Sequence, residues 1–267
     1  MKIASSTWMI PGNSFREKLH HAAEMGFEGM EVRLLEEAAT EENIRELEEA
    51  FAETGLLPCS LLVPGDTFRR PLCDRDTLEM KKAHARKALE IAARLQAPTL
   101  LAPEYHYQNP LPLFDIKCPD EEEQALLTEF LSFASEYAGK VGAKCLIEPI
   151  NRYETHFYHT LAEAAAAIEA AGAENVLILA DLFHMYFEEK DVASAIARYG
   201  SSIGHVQIGD SNRMLPGQGH TDFRPAFREL KRSGYTRGIA LECGIEGDPE
   251  VELPMCVRRL KAMIEEV

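Results

Sequence analysis

Short apolar stretches alternate along this chain with longer segments in which apolar residues recur at helical spacing. Turn residues bound the short stretches, and this pattern predicts eight strands. They cover residues 3–6, 29–33, 57–63, 98–102, 145–147, 176–180, 203–208 and 238–242. A segment typical of a helix follows each predicted strand, which is the order expected of consecutive parallel β/α units.

Capping signals mark several of the predicted helices. Ser14 with Glu17, and Thr160 with Glu163, have the spacing of a capping box, in which two side chains satisfy backbone N–H groups at the helix start. Helices are predicted at about residues 15–25, 40–54, 77–95, 119–141, 161–171, 194–199, 223–233 and 249–267. The segment 104–120 has little periodicity and is predicted to be a long loop.

This order of elements predicts an α/β fold made of a single (β/α)8 TIM barrel that spans residues 1–267. Hydrophobic residues make up 46% of the chain, enough for one large core. A doubly wound open sheet is the alternative, but the glycine-rich fingerprint of that fold does not follow the first predicted strand.

The net charge and the spacing of the cysteines limit which binding partners and which cellular compartment are expected. Lys and Arg total 28 against 44 Asp and Glu, so the formal net charge is -16. Such a surface repels phosphate backbones, which argues against nucleic acid as a partner. The six cysteines show no CxxC pairing and are expected to be reduced thiols. No long apolar run suggests a membrane segment, so we expect a cytoplasmic protein, with homo-oligomer formation left open.

Polar residues follow four consecutive predicted strands where the apolar stretches end. They are Glu148, Asp181, Gln207 and Glu242. The carboxyl ends of barrel strands converge on one mouth, and carboxylates brought together there repel one another unless a cation lies between them. Oxygen donors of this kind suit Mn²⁺ or Mg²⁺ better than Zn²⁺. The alternative is a set of separately solvated carboxylates with a surface glutamine.

Three other residues near these strand ends have both a functional and a structural interpretation. His184 is a candidate donor to a substrate oxygen or a hydrogen-bonded core histidine. Arg213 is a candidate for binding substrate hydroxyl groups or a solvated loop residue. We place His205 out of phase with positions 203 and 207, and we therefore interpret it as a packing residue.

Several motifs resemble those of the ketose 3-epimerases of the D-tagatose/D-psicose type, which are xylose-isomerase-like TIM barrels. The matching segments are EPINRYETHF, DLFHM, HVQIGDSNR followed by PGQGH, and LEC. The resemblance implies one divalent metal ion, usually Mn²⁺, with Mg²⁺ or Co²⁺ as alternatives. The ligands that it implies are Glu148, Asp181, Gln207 and Glu242.

The same resemblance implies that Glu148 and Glu242 act as the acid/base pair and that Glu154, His184 and Arg213 contact the substrate. Gln207 departs from the pattern, because most of these epimerases have histidine there. A glutamine carbonyl still ligates a hard cation, and hydroxypyruvate-isomerase-like relatives carry glutamine at this position.

The sequence therefore predicts a metal-dependent epimerase that inverts C3 of a free ketose through an enediolate. The alternative is an aldose–ketose or hydroxypyruvate-type isomerase that uses the same metal site. Phosphodiester hydrolysis of the endonuclease IV type requires a histidine-rich multi-zinc site and a basic face, which the chain lacks. A sugar-binding protein with an inactive site is the third hypothesis. The preferred sugar would depend on segments 9–12, 64–73 and 104–114, which carry no readable specificity code.

Overall fold

Eight parallel strands form a closed barrel in this computed structural model, which describes residues 1–68, 70–102 and 118–267. The strands are β1 (Lys2–Ser6), β2 (Gly29–Arg33), β3 (Leu57–Leu62), β4 (Thr99–Ala102), β5 (Cys145–Ile147), β6 (Val176–Asp181), β7 (Ile203–Ile208) and β8 (Gly238–Leu241). Each strand pairs with its sequence neighbours, and β8 closes the barrel on β1. The predicted TIM barrel is confirmed.

Helices surround the barrel, and most begin and end within two residues of the predicted positions. They are α1 (Phe15–Glu24), α2 (Glu41–Thr54), α3 (Arg75–Leu95), α4 (Glu121–Val141), α5 (Leu161–Ala170), α6 (Leu182–Glu188), α7 (Val192–Tyr199), α8 (Arg224–Arg232) and α9 (Pro249–Glu265). Within the described ranges, no helix has the length and apolar character needed to cross a membrane. The predicted loop at 104–120 and the segment 104–114 lie almost entirely outside the described residues.

The capping predictions are confirmed at Thr160 and modified at Ser14. Thr160 and Glu163 exchange both bonds of a capping box at the start of α5. The Ser14 hydroxyl accepts a hydrogen bond from the Glu17 N–H, but the Glu17 carboxylate accepts its bond from the N–H of Asn13 instead of Ser14. The Ser14 cap therefore forms, but Glu17 binds the N–H of Asn13, one residue before the N–H that a capping box would use.

The segment after β6 differs from the prediction, because it contains two helices where the sequence indicated one. Asp181 is the N-cap of α6, and its Oδ1 accepts a hydrogen bond of 2.9 Å from the N–H of Phe183. Asp191 caps α7 in the same way through Ser194. The strand thus passes directly into a helix, so that His184 lies on the first turn beside the barrel mouth.

The interior of the barrel contains one cluster of small side chains and one cluster of large ones. Ala4, Cys59 and Ala240 pack together, and a Cβ at Gly238 would lie 2.2 Å from the Cys59 sulfur, so this cluster leaves room only for small residues. The other cluster contains large apolar residues: Leu62, Phe68, Leu100, Leu146 and Leu179. The interior is therefore a packed core, and polar groups gather at the carboxyl ends of the strands.

Candidate active site at the carboxyl end of the barrel

The three predicted carboxylates meet at the barrel mouth. Glu148 follows β5, Asp181 ends β6 and Glu242 follows β8. Glu148 and Asp181 are almost fully buried, whereas the Glu242 side chain is 24% exposed. Burial and the nearby Glu242 and Asp181 carboxylates raise the pKa of Glu148 well above its usual range. Burial also raises the pKa of Glu242 to about 8. Without a cation, the Glu242 carboxyl group therefore holds a proton near neutral pH.

The Arg213 guanidinium lies among these carboxylates. It donates to Asp181 Oδ2 and to Glu242 Oε2, and its central carbon lies 4.5 Å from the centre of the Phe183 ring. Burial alone would lower the pKa of Arg213, but the charges of Asp181 and Glu242 outweigh burial and raise it. The residue predicted as a substrate contact therefore contacts two of the predicted metal ligands.

The loop after β7 fixes the backbone of Arg213. Arg213 has φ of 56°, a left-handed conformation that is unusual for a residue with a side chain. The carboxylate of the fully buried Asp210 accepts hydrogen bonds from the N–H groups of Ser211, Gly217 and Thr221. Burial would raise the pKa of Asp210, but these backbone donors outweigh burial and hold it below its usual range. The Asp210 carbonyl also accepts the N–H of Arg213 at 2.7 Å.

His184 lies beside the carboxylates as a hydrogen-bond donor. Its Nε2 is 3.5 Å from Asp181 Oδ2 and 3.9 Å from Glu148 Oε1. Ligand atoms of these three residues all lie within 4.8 Å of one another, a spacing that suits a metal ion. However, the backbone N–H of Asn151 donates to Nδ1, and burial lowers the pKa of His184. The neutral ring therefore carries its proton on Nε2, which favours donation to a substrate over metal ligation.

Asn151 connects two of the predicted substrate contacts, a role that sequence reasoning missed. Its side-chain Nδ2 lies 2.8 Å from His184 Nδ1 and donates to Glu154 Oε1 at 2.8 Å. Asn151 thus fixes the ring of His184 and the carboxylate of Glu154 relative to each other. The NRYE motif contains this asparagine, and its short spacing from Glu154 was the available signal.

A buried glutamate on β2 was also missed, and it corrects the placement of His205. Glu31 is fully buried, and its Oε2 accepts hydrogen bonds from Ser60 Oγ, His205 Nε2 and Gln207 Nε2 at 2.8–2.9 Å. His205 and Gln207 are two residues apart on one strand and therefore face the same side, inside the barrel. The prediction that His205 is out of phase was wrong, because strand side chains alternate with period two.

Gln207 presents one free oxygen to the barrel interior. Since a carboxylate only accepts hydrogen bonds, the contact with Glu31 must come from the amide nitrogen of Gln207. Gln207 Oε1 and Glu31 Oε1 are both buried, and neither has a hydrogen-bond partner in the part of the chain that the structure describes. Unpaired buried oxygens beside repelling carboxylates fit a hard divalent cation.

Comparisons with known proteins identify the family of this chain. The model of the xylose isomerase-like TIM barrel family matches residues 19–263. The chain is 28% identical over 254 residues to the 3-dehydro-D-guloside 4-epimerase of Escherichia coli (strain K12), covering 93% of this chain and 94% of that protein. It is 29% identical over 235 residues to the L-ribulose 3-epimerase of Mesorhizobium japonicum, covering 84% and 73% respectively. The apo crystal structure of 3-keto-D-glucoside 4-epimerase from E. coli has a TM-score of 0.82 at 25% identity, covering 98% of this chain and 99% of that one.

Proposed function

This chain belongs to the xylose isomerase-like TIM barrel family, and from that premise we propose that it is a metal-dependent epimerase that inverts C3 of a free ketose. Its relatives include sugar epimerases, which places it among enzymes of the isomerase class. One observation carries the finer proposal: the buried carboxyl groups of Glu148 and Glu242 have raised pKa values at the same barrel mouth. Residues 1–267 act as one domain in this proposal.

The oxygen donors Glu148, Asp181, Gln207 and Glu242 would hold one divalent cation, with Mn²⁺ as the preferred ion. The unpaired Oε1 of Gln207 supports its inclusion. When bound, the cation supplies positive charge that polarises the ketose carbonyl and offsets the negative charge of an enediolate. Arg213 would then turn from the carboxylates towards the substrate, because its guanidinium and the cation compete for the same oxygens.

Glu148 and Glu242 exchange protons with C3 in this mechanism. They follow β5 and β8, which two intervening strands separate in the closed barrel, so they approach a bound sugar from different sides. One carboxylate removes the C3 proton, and the other returns a proton to the opposite face, which inverts the centre. The pKa of Glu242 is about 8 in the absence of a cation, and a bound cation would lower it towards the working pH, which suits a group that accepts and donates protons in turn. His184 donates through Nε2–H to a substrate oxygen, and Glu154 binds a hydroxyl group.

Inversion at C4 is the second candidate. The observation that favours it is the similarity to the 3-dehydro-D-guloside 4-epimerase, which extends over most of both chains. The same two carboxylates would then act on C4, which is adjacent to a carbonyl group at C3. An aldose–ketose isomerase would instead return the proton to C1 or C2, a reaction for which one carboxylate on one face is sufficient.

Deuterium incorporation separates these reactions. Protein loaded with Mn²⁺ is incubated in D₂O with D-fructose, D-tagatose, D-psicose and a 3-keto glycoside, each in a separate reaction, and the products are examined by NMR. We expect deuterium at C3 of both substrate and epimer. Label at C4 of a 3-keto glycoside decides for the second candidate, and label at C1 or C2 with an aldose product decides for an isomerase.

Substitution of the two carboxylates tests their roles. Glu148→Gln and Glu242→Gln should each lower kcat by about 10²–10⁴-fold. Glu246→Gln is the matched control, because Glu246 is exposed and lies four residues beyond Glu242. If no ketose is labelled by the wild-type protein with Mn²⁺ bound, the sugar-binding hypothesis replaces the enzymatic one.

A further inference from the structure

A cavity of about 430 Å³ opens at the barrel rim beside the proposed active site. Thr7 and Trp8 follow β1, and Arg33 ends β2; all three line this cavity, together with Phe15 and Lys18 from α1. The carboxyl ends of β1 and β2 lie on the same face of the barrel as those of β5 to β8. Arg33 is also near enough to Glu242 to lower its pKa. The cavity therefore adjoins the carboxylates without containing them.

Two basic side chains in this cavity have no acidic partner among the residues that the structure describes. Lys18 Nζ donates to the Thr7 carbonyl at 3.0 Å, and the Arg33 hydrogen bond to Thr7 is made by the backbone N–H. Within residues 1–68, 70–102 and 118–267, neither side chain forms an ion pair. By contrast, Arg94 and Arg224 pair with glutamates. In a chain with a net charge of -16, two half-buried cations that form no ion pair with a described residue require an explanation.

The rest of the cavity wall suits a sugar derivative. Trp8 is 45% exposed, and it and Phe15 provide aromatic surface against which sugar C–H groups pack. Asn13 and Ser14 add polar groups at the N-terminus of α1, where the N–H of Asn13 already donates to Glu17 and the Ser14 hydroxyl accepts the N–H of Glu17. One carboxylate, Glu46, also lines the cavity, and its Oε1 accepts a hydrogen bond of 3.0 Å from the N–H of Arg16.

We propose that this cavity binds an anionic end group of the substrate, with Arg33 and Lys18 as its partners and Trp8 against the adjoining carbons. The substrate class is then a keto sugar acid whose carboxylate is remote from the reacting carbon. This inference rests on the proposed function of the neighbouring carboxylates. A phosphate group has similar chemistry, and a separate arm of the experiment distinguishes it.

The experiment compares kcat/KM for a ketohexose, for the same sugar with a carboxylate at C6, and for its 6-phosphate. We expect the wild-type protein to prefer the carboxylate over the neutral ketose by about tenfold to hundredfold, as charge-assisted hydrogen bonds are formed only by the acid. Arg33→Gln and Lys18→Met should each lower this ratio by about tenfold or more. Arg16→Gln is the matched control, because Arg16 also lies on α1 but pairs with Glu49 outside the cavity.

Four outcomes separate this inference from the proposed function. C3 labelling of the neutral ketose with no preference for the acid keeps the proposed function and overturns the cavity assignment. Equal losses of the preference for the acid in Arg33→Gln and Arg16→Gln also overturn it. A preference for the 6-phosphate over the carboxylate would overturn the sugar-acid assignment and identify a phosphate as the anionic group. If no substrate is turned over, calorimetric titration with the C6 acid decides: binding that Arg33→Gln abolishes supports the cavity assignment, and absence of binding to the wild-type protein overturns it.

Discussion

The raised pKa of Glu242 makes the stability of the metal-free protein depend on pH. The Glu242 carboxyl group has an ordinary pKa of 4.5 in the unfolded chain and a pKa of about 8 in the folded protein. Between these two pH values, the folded protein keeps the proton of this group. The unfolded chain releases that proton above pH 4.5. The contribution of Glu242 to the free energy of unfolding is therefore present in full at low pH and is lost as the pH rises towards 8.

The size of the effect follows from the pKa values. Displacement of the pKa from 4.5 to about 8 corresponds to at most about 5 kcal/mol of unfolding free energy. The Glu242 side chain is 24% exposed, so solvent screening reduces this figure, and we expect about 2 kcal/mol. For a protein of this size, that amounts to a fall in Tm of about 5 °C between pH 5 and pH 8.5.

Thermal unfolding in EDTA, followed by circular dichroism at several pH values, measures this fall. Glu242→Gln removes one of the two carboxyl groups with a raised pKa and should reduce the slope, with the remainder due to Glu148, whereas Glu246→Gln should leave the wild-type slope, because Glu246 is exposed. The general repulsion of a chain with net charge -16 is present in all three proteins and cancels in the comparison. The reasoning fails if Glu242→Gln shows the same slope as the wild-type protein.

Three further substitutions test the supports of the site. Glu31→Gln should weaken Mn²⁺ affinity by about tenfold or more in calorimetric titration, because it weakens the acceptor that orients the Gln207 amide; an unchanged affinity would refute this. Arg213→Ala should tighten Mn²⁺ binding by removing an internal cation, while kcat/KM falls; weaker metal binding would contradict the competition. Gly219→Ala should destabilise the protein by about 1–3 kcal/mol in urea unfolding, because its Cβ would lie 2.3 Å from Asp210 Oδ1; a neutral effect would show that the loop yields.

The carboxylates at the strand ends could be predicted because the signal is local. Glu148 follows three buried apolar residues and precedes a proline, so both the strand and its end are visible in a few adjacent letters. The cap of α5 was equally readable, since Thr160 and the residue three positions later decide it. Their positions in the structure match the prediction for this reason.

Contacts across the barrel could not be predicted, because they depend on closure of the sheet. Glu31 and His205 are 174 residues apart, and only the arrangement of β2 and β7 around one interior brings their side chains to 2.9 Å. A glutamate between two apolar residues of the short strand β2 was the local sign of Glu31. The position of Arg213 depends on the fold of its loop around Asp210, a pattern that hydrophobic periodicity does not encode.

The double use of Asp181 ties the chemistry of this barrel to its architecture. One of its oxygens begins α6 through Phe183, and the other faces Arg213 and His184. A longer glutamate at this position would carry its carboxylate away from the helix end, and an alanine would lose the cap and the site together. Selection for folding would therefore hold position 181 even in a variant that no longer needs the proposed chemistry, because the cap of α6 does not depend on it.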